Sequence, residues 1–338
     1  MIFTGLIAAG SGLFWWLVLP HPLYTHVGRA SPSYPYSLVW SPDGTRITSI
    51  DTNGTVQAWN AGDGGYVSTA QRRPPEQYPK INFGSWSPDG RRIAYITAAG
   101  AVHVWDAQNG GRISTYQEPF HESSRFVMAV AWSSDGSRLA IFDTQGMVQI
   151  RDTTSGKQLS TYQISSLKYQ VTDQKPDRYS YQLGMAWSPD GKHIAASGSD
   201  GMVSVWDAVN GSHLSRYQGA RYPGNPIVWS PDGGRIALGL PDGTIQVRDA
   251  TDGRIIRLYH RHAIGVTALK WSPDGKRIAS VGSSGGDNTM QVWDSTTGTL
   301  IHLYWLYPGS ATTVIWSPDG KRIASGDFDG TVRVWASS

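Results

Sequence analysis

A short pattern, Trp-Ser-Pro-Asp-Gly, recurs through the chain at Trp40, Trp86, Trp132, Trp187, Trp229, Trp271 and Trp316, with the third copy reading Trp132-Ser-Ser-Asp-Gly. Seven copies recurring about every 42 to 55 residues are the mark of a repeat architecture. A unit of that size cannot bury its own apolar face, so each copy must be covered by its neighbours. Seven such units within 338 residues imply one closed ring.

The fifth copy shows how one unit folds. Ile227-Val-Trp229 reads as a short apolar strand, and Ser230-Pro-Asp-Gly233 as a turn. Proline presets the backbone, aspartate bonds the backbone that follows, and glycine accepts a positive φ. Arg235 to Leu238 is a second strand, and Pro241-Asp-Gly243 a second turn. Thr244-Ile-Gln-Val-Arg248 alternates polar and apolar residues, the period-two mark of a half-buried strand. After Asp249-Ala-Thr-Asp-Gly253, Arg254 to Tyr259 makes a fourth strand. Four antiparallel strands joined by tight turns form one propeller blade. No stretch after residue 20 has a convincing helical period. The sequence predicts an all-β, seven-bladed β-propeller of four-stranded antiparallel blades.

The third strands end in Val104-Trp-Asp106, Val205-Trp-Asp207 and Val292-Trp-Asp294, with weaker forms at Trp59-Asn60, Arg151-Asp152, Arg248-Asp249 and Trp335-Ala336. Together with the seven in-phase turns, this resembles the WD-repeat β-propellers over roughly residues 20–338. The resemblance implies a hydrogen-bonded set in each blade: a third-strand Trp, a second-strand Ser or Thr, a His before the first strand and an Asp in the tight turn. Asp200, Asp287 and Asp329 stand at the turn position, but only His262 fits the His position. Elsewhere that position holds Ala220, Arg178, Ser123 or Tyr307. Only the sixth blade offers the full set, His262, Ser280, Asp287 and Trp293, so the blades are expected to differ in rigidity.

The last repeat stops after its third strand, Thr331 to Trp335, which would leave an open edge. Fourth strands elsewhere end in Thr115-Tyr116, Thr161-Tyr162, Arg216-Tyr217, Leu258-Tyr259 and Leu303-Tyr304, and Leu23-Tyr24 reads the same way. Residues near 21–27 are therefore expected to complete the last blade. Ahead of them, Ile2 to Leu19 contains no charge. Eighteen helical residues would span about 27 Å of a hydrocarbon core about 30 Å thick. Trp15 and Trp16 would suit one interface, while Gly5, Gly10 and Gly12 weaken the helix. A membrane anchor over residues 1–19 is the favoured expectation. A secretory signal and a packed or loose apolar tail are the alternatives. The layout is similar to bacterial Ser/Thr kinase–propeller proteins tethered by one membrane helix, of which this chain resembles the propeller half. That resemblance implies an extracytoplasmic propeller, with cytoplasmic and secreted placements as alternatives. No cluster of Lys or Arg flanks the segment to fix its orientation.

Motifs for chemistry are sparse. The chain has no cysteine, which removes disulfides and thiol chemistry. A net charge of +3 does not argue for nucleic acid. Gly282-Ser-Ser284-Gly-Gly286 matches a nucleophile elbow by letters, but between strands rather than before a helix. His121-Glu122 lacks the second His of a zinc protease. The aspartates of the repeated turns are needed for the turns themselves, and Asn53 and Asn210, which head glycosylation sequons, read better as turn residues. Lys270 stands just before Trp271, where the other repeats place Val39, Ser85, Ala131, Ala186, Val228 and Ile315. It is expected to line the central channel in contact with water, with anion binding as the minor reading. No catalytic residue, metal or cofactor is predicted.

Strand direction sorts the loops. The Ser-Pro-Asp-Gly turns and the turns after the Trp-Asp pairs share one face, and the tight turns and blade-to-blade connections share the other. The second face carries the irregular segments Gln71 to Lys80, Gln117 to Arg125 and Gln163 to Tyr181. Arg72, Arg73, Tyr78, Phe120, His121, Arg125, Lys168, Tyr169, Arg178, Tyr179 and Tyr181 on these loops are the residue types that dominate interface hot spots. The expectation is a non-catalytic scaffold or sensor that binds a protein or peptide through this face. The alternative is an enzyme or small-ligand sensor that uses the channel mouth.

Overall fold

The computed structural model describes residues 21–27, 34–51, 55–71, 81–97, 101–107, 111–116, 127–143, 146–163, 184–197, 201–219, 226–282, 287–306 and 311–337. Among them, twenty-eight strands form seven four-stranded antiparallel sheets, with no helix. Six sheets are built from strands in chain order. Blades are numbered here from Trp40.

The turn after each first strand explains why the motif recurs. In blade five, Gly233 N–H donates to Ser230 O at 2.9 Å, and Gly233 has a φ of 73°. Asp232 accepts from the Ser230 hydroxyl and, at 3.0 Å, from Gly234 N–H. The Ser230 oxygen in turn accepts from Arg235 N–H at 2.9 Å. All four motif residues are therefore consumed in reversing the chain, and strand two leaves the turn in register with strand one: Trp229 faces Ile236.

The third strand of blade five, Thr244–Asp249, is buried almost throughout, although its alternation reads as half-buried. Both faces of a middle strand meet neighbouring blades, as in sheets covered on two sides. The polar positions survive burial by bonding: Arg248 Nε donates to Gln246 at 2.9 Å, and its two terminal nitrogens donate to Gly253 O at 2.7 Å and Gln218 O at 2.6 Å. The fourth strand, Ile255–His260, is largely exposed at the rim.

Each first strand touches the first strands of both neighbours, so the ring is closed around a central channel. Seven separate apolar cores sit at the seven seams. Closure is made by the start of the described chain: Tyr24–Val27 pairs antiparallel with Thr331–Ala336. Its register is offset by two residues from the other fourth strands. Tyr304 faces Met290, three residues before the third-strand Trp, whereas Tyr24 faces Val334, one residue before Trp335. An even offset keeps the ring on the same face of the sheet. Tyr24 thus still reaches blade one, where its hydroxyl donates to Ala61 O at 2.7 Å. Leu23 N–H donates to Val334 O, so the preceding chain enters on the face of the Ser-Pro-Asp-Gly turns. Ser337 N–H bonds Lys321 O beside the last such turn and places the C-terminal strand end there too. The apolar stretch 2–19 lies outside the described residues, and among these no helix is long and apolar enough to cross a membrane.

Candidate functional site

Blade six brings four side chains into one chain of hydrogen bonds. Trp293 Nε1 donates to Ser280 Oγ at 3.0 Å, and Ser280 Oγ lies 2.7 Å from His262 Nε2. His262 Nδ1 lies 2.7 Å from Asp287 Oδ2, which also accepts from Ala263 N–H at 2.8 Å. The network assigns the proton to Nδ1, leaving Nε2 to accept from the serine. Burial pushes the His262 pKa below its ordinary value, and Asp287 only partly opposes this. Serine, histidine and aspartate in this order look like a hydrolase triad. Ser280, however, is 0 % exposed, and its oxygen already accepts from an indole, so no substrate carbonyl can reach it. The set locks the tight turn to the strands.

Blade seven uses different chemistry. Asp329, at the same turn position, accepts from Arg333 at 2.9 Å, and Arg333 also pairs with the fully buried Asp327. Trp335 Nε1 donates to Ser325 Oγ at 3.2 Å. An arginine from the third strand thus neutralises the turn carboxylate. Asp200, the third turn candidate, lies outside the described residues.

A second set of residues holds blades together. The residue six positions after a first-strand Trp reaches across the seam to the next blade. Arg235 stacks over Trp271 at 4.6 Å and donates to Gly275 O at 3.1 Å. Arg92 does the same over Trp132 and to Gly136 O, Arg277 over Trp316 and to Gly320 O, and Arg322 over Trp40 and to Gly44 O. Arg138 stacks over Trp187 and donates to Gly191 O, and His193 stacks on Trp229 instead. The fourth-strand tyrosines add a joint further out: Tyr259 and Tyr304 donate to Asp294 O and Ala336 O of the following blade, and Trp206 donates to Tyr162. The sequence displays the arginines as a recurring Asp-Gly-x-Arg, a signal that would pass for a solvated turn cation because each partner lies in the next repeat, 36 or more residues away.

The first strands line the channel. Trp132, Trp187, Trp229 and Trp316 each donate through Nε1 to a carbonyl of the preceding blade, at Ser85, Ala131, Ala186 and Lys270. The cavity within this belt has a volume of about 760 Å³. Among its described lining residues Lys270 is the one charged group.

The two faces differ in how they are built. Asp43, Asp232 and Asp319 are held low in pKa on the turn face, each first by the serine of its own motif. Asn210 accepts from Ser212 N–H at 2.7 Å within the turn after Trp206-Asp207, the role its Asn-Gly pair suggests. On the opposite face, residues 164–184 separate blades three and four, whereas only 261–265 separate blades five and six. Arg72, Arg73, Tyr78, Phe120, His121, Arg125, Lys168, Tyr169, Arg178, Tyr179 and Tyr181 all lie outside the described residues, as do Ser284, Glu122 and Asn53. Among the described residues no three His, Asp or Glu side chains cluster as a metal site.

The geometry defines a seven-bladed β-propeller with a non-nucleophilic hydrogen-bonded set and sealed turns on one face. The WD domain, G-beta repeat family matches residues 21–60, 180–207, 253–294 and 302–336, and these segments end at Trp59-Asn60, Trp206-Asp207, Trp293-Asp294 and Trp335-Ala336. Over these four segments the propeller is similar to WD40 repeats. No curated protein matches it.

Proposed function

We propose that this propeller is a non-catalytic scaffold that binds a protein or peptide through the face carrying the long blade-to-blade segments. The observation that carries this reading is the asymmetry between the faces. On one face every motif serine and aspartate in the described blades is bonded within its own turn, and five of the six neighbouring arginines are stacked between blades. On the other, blades three and four are joined by residues 164–184, about twice the length of any other connection, and the segments joining blades one to four carry Tyr, Phe and Arg. Long surface insertions cost little stability, and such residues serve as anchors in interfaces. A tether through the uncharged residues 2–19 would suit this arrangement, because the chain enters beside Val334 on the turn face and leaves the loop-bearing face free.

The test uses the intact chain as bait and measures a recovered partner against Tyr78→Ala, Arg125→Ala and Tyr179→Ala, with Lys276→Glu and Lys321→Glu as controls on the turn face. Each anchor substitution is expected to weaken binding by about 2 kcal/mol or more. Unfolding stability should change by less than about 0.5 kcal/mol. A partner that tolerates the loop substitutions but is lost with the lysine reversals would place the interface on the wrong face for this proposal.

A further inference from the structure

We infer that the channel is a binding site for a small organic acid, whose carboxylate is held by Lys270 and whose apolar body rests on the collar formed by Val228, Ile315 and Val39. The fold itself has no use for a lysine at this position. Its six counterparts are Val39, Ser85, Ala131, Ala186, Val228 and Ile315, none of them charged. The structural duty of Lys270 is discharged by its backbone, which pairs with Ala279 and accepts the Trp316 indole N–H. Alternation along the strand turns its side chain away from the Trp271 face and into the channel.

The surroundings of that ammonium are chemically incomplete. No carboxylate stands among the described residues that line the cavity, and no described side chain accepts a hydrogen bond from the Lys270 amine. At the same height, the counterparts in blades five and seven on either side are Val228 and Ile315. Lys270 is exposed to the channel, and desolvation by the surrounding protein lowers its pKa below the ordinary lysine range. An unpaired cation in such a place is costly, and an anion beside it relieves the cost. A cavity of about 760 Å³ whose walls mix polar groups with apolar side chains fits a compact amphipathic ligand rather than a polymer. Thr267, Thr312 and Ser37 supply hydroxyls within the same cavity for further polar groups. A bare inorganic anion would leave the apolar collar unused, whereas an aromatic or aliphatic monocarboxylate satisfies both.

The experiment is titration calorimetry on the full chain with benzoate, its neutral counterpart benzyl alcohol, and inorganic phosphate, repeated on Lys270→Met and Lys270→Gln. The wild-type protein should bind benzoate roughly tenfold or more tightly than benzyl alcohol, the ratio expected of one charge-assisted hydrogen bond. Both variants should lose that preference while keeping the wild-type melting temperature or exceeding it, since no fold contact is removed. A second readout does not depend on substitution: after reductive ¹³C-methylation, the Lys270 amine resonance should titrate at higher pH when benzoate is present, because an adjacent anion favours the charged form. Benzoate binding that survives Lys270→Met, an amine titration unmoved by benzoate, or phosphate binding as tightly as benzoate would each overturn the proposal.

Discussion

At the scale of single residues, this protein invests buried polarity where a turn must be held. Replacing His262 with Ala leaves Ser280 and Asp287 buried without their ring partner, so unfolding should become easier by roughly 1–3 kcal/mol. The same histidine sets a pH dependence whose sign follows from its depressed pKa. In the unfolded chain it titrates near its ordinary 6.5, so below that value the unfolded state binds a proton that the folded state refuses. Its contribution is complete above pH 6.5 and is lost as pH falls from there toward the lower folded pKa. The turn carboxylates act later. Asp43 is held down to about 2, first by the Ser41 hydroxyl and then by Thr45, so its share disappears only below the ordinary 3.8. Burial also lowers the pKa of His103 and His302, so denaturant titrations at pH 7 and pH 5 should show a drop in wild type that is larger than the one His262→Ala keeps. Parallel losses in both proteins would separate His262 from this window. Glycine matters here for space as well as backbone: a Cβ on Gly253, at a φ of 72°, would stand 2.2 Å from the Tyr217 ring. The same packing recurs at Gly156, Gly211 and Gly298, so blades three to six turn on glycine just where the preceding blade's tyrosine packs.

At the scale of elements, the seams are unequal. Six of the seven seams carry an arginine or histidine over the next tryptophan, and the exception is the seam between blades one and two. There Arg46 is exposed, and Ala70 stands at the register position that Tyr116, Tyr162, Tyr217, Tyr259 and Tyr304 hold elsewhere. A cation–π contact and one or two hydrogen bonds are worth about 1–3 kcal/mol together. Arg235→Ala should cost about that much, and Arg46→Ala less than about 0.5 kcal/mol. Hydrogen exchange should accordingly be fastest, among paired strands, in Tyr66–Gln71 and Ile81–Trp86. Slow exchange there, or equal costs for the two arginines, would show that the stacks do not set seam strength. Much of this level was legible beforehand. The Trp-Ser-Pro-Asp-Gly spacing counts the blades, and the repeated tyrosine marks the fourth strands, because both are local signals. The seams were not legible, since an arginine such as Arg92 and its partners Trp132 and Gly136 belong to different repeats and no periodicity links them. The single lysine in the channel stood out only because its six counterparts lack charge.

At the scale of the whole molecule, the ring is closed by its most distant contacts. Arg322 bonds Gly44 and Ala61, Thr312 bonds Pro35, and Tyr24–Val27 lies along Thr331–Ala336. Bringing such remote segments together carries the largest loop-closure cost in the chain, so this seam is the natural last step of folding. The loop-bearing face can only be presented in one geometry if that seam stays shut, which ties the proposed binding role to the N-terminal strand. Removal of residues 1–19 leaves Leu23 and Tyr24–Val27 in place to pair with the last blade. Removal of residues 1–28 strips the outer strand, frees the backbone edge of Thr331–Ala336, and uncovers Val332 and Val334, both buried in the intact ring. An open apolar edge of this kind also invites pairing between molecules. The longer truncation should therefore lose on the order of 3 kcal/mol or more and tend to self-associate, while the shorter one melts with the full chain. Equal melting temperatures and monodisperse solutions for both truncations would mean that the first and last blades hold together through Arg322 and their shared core alone.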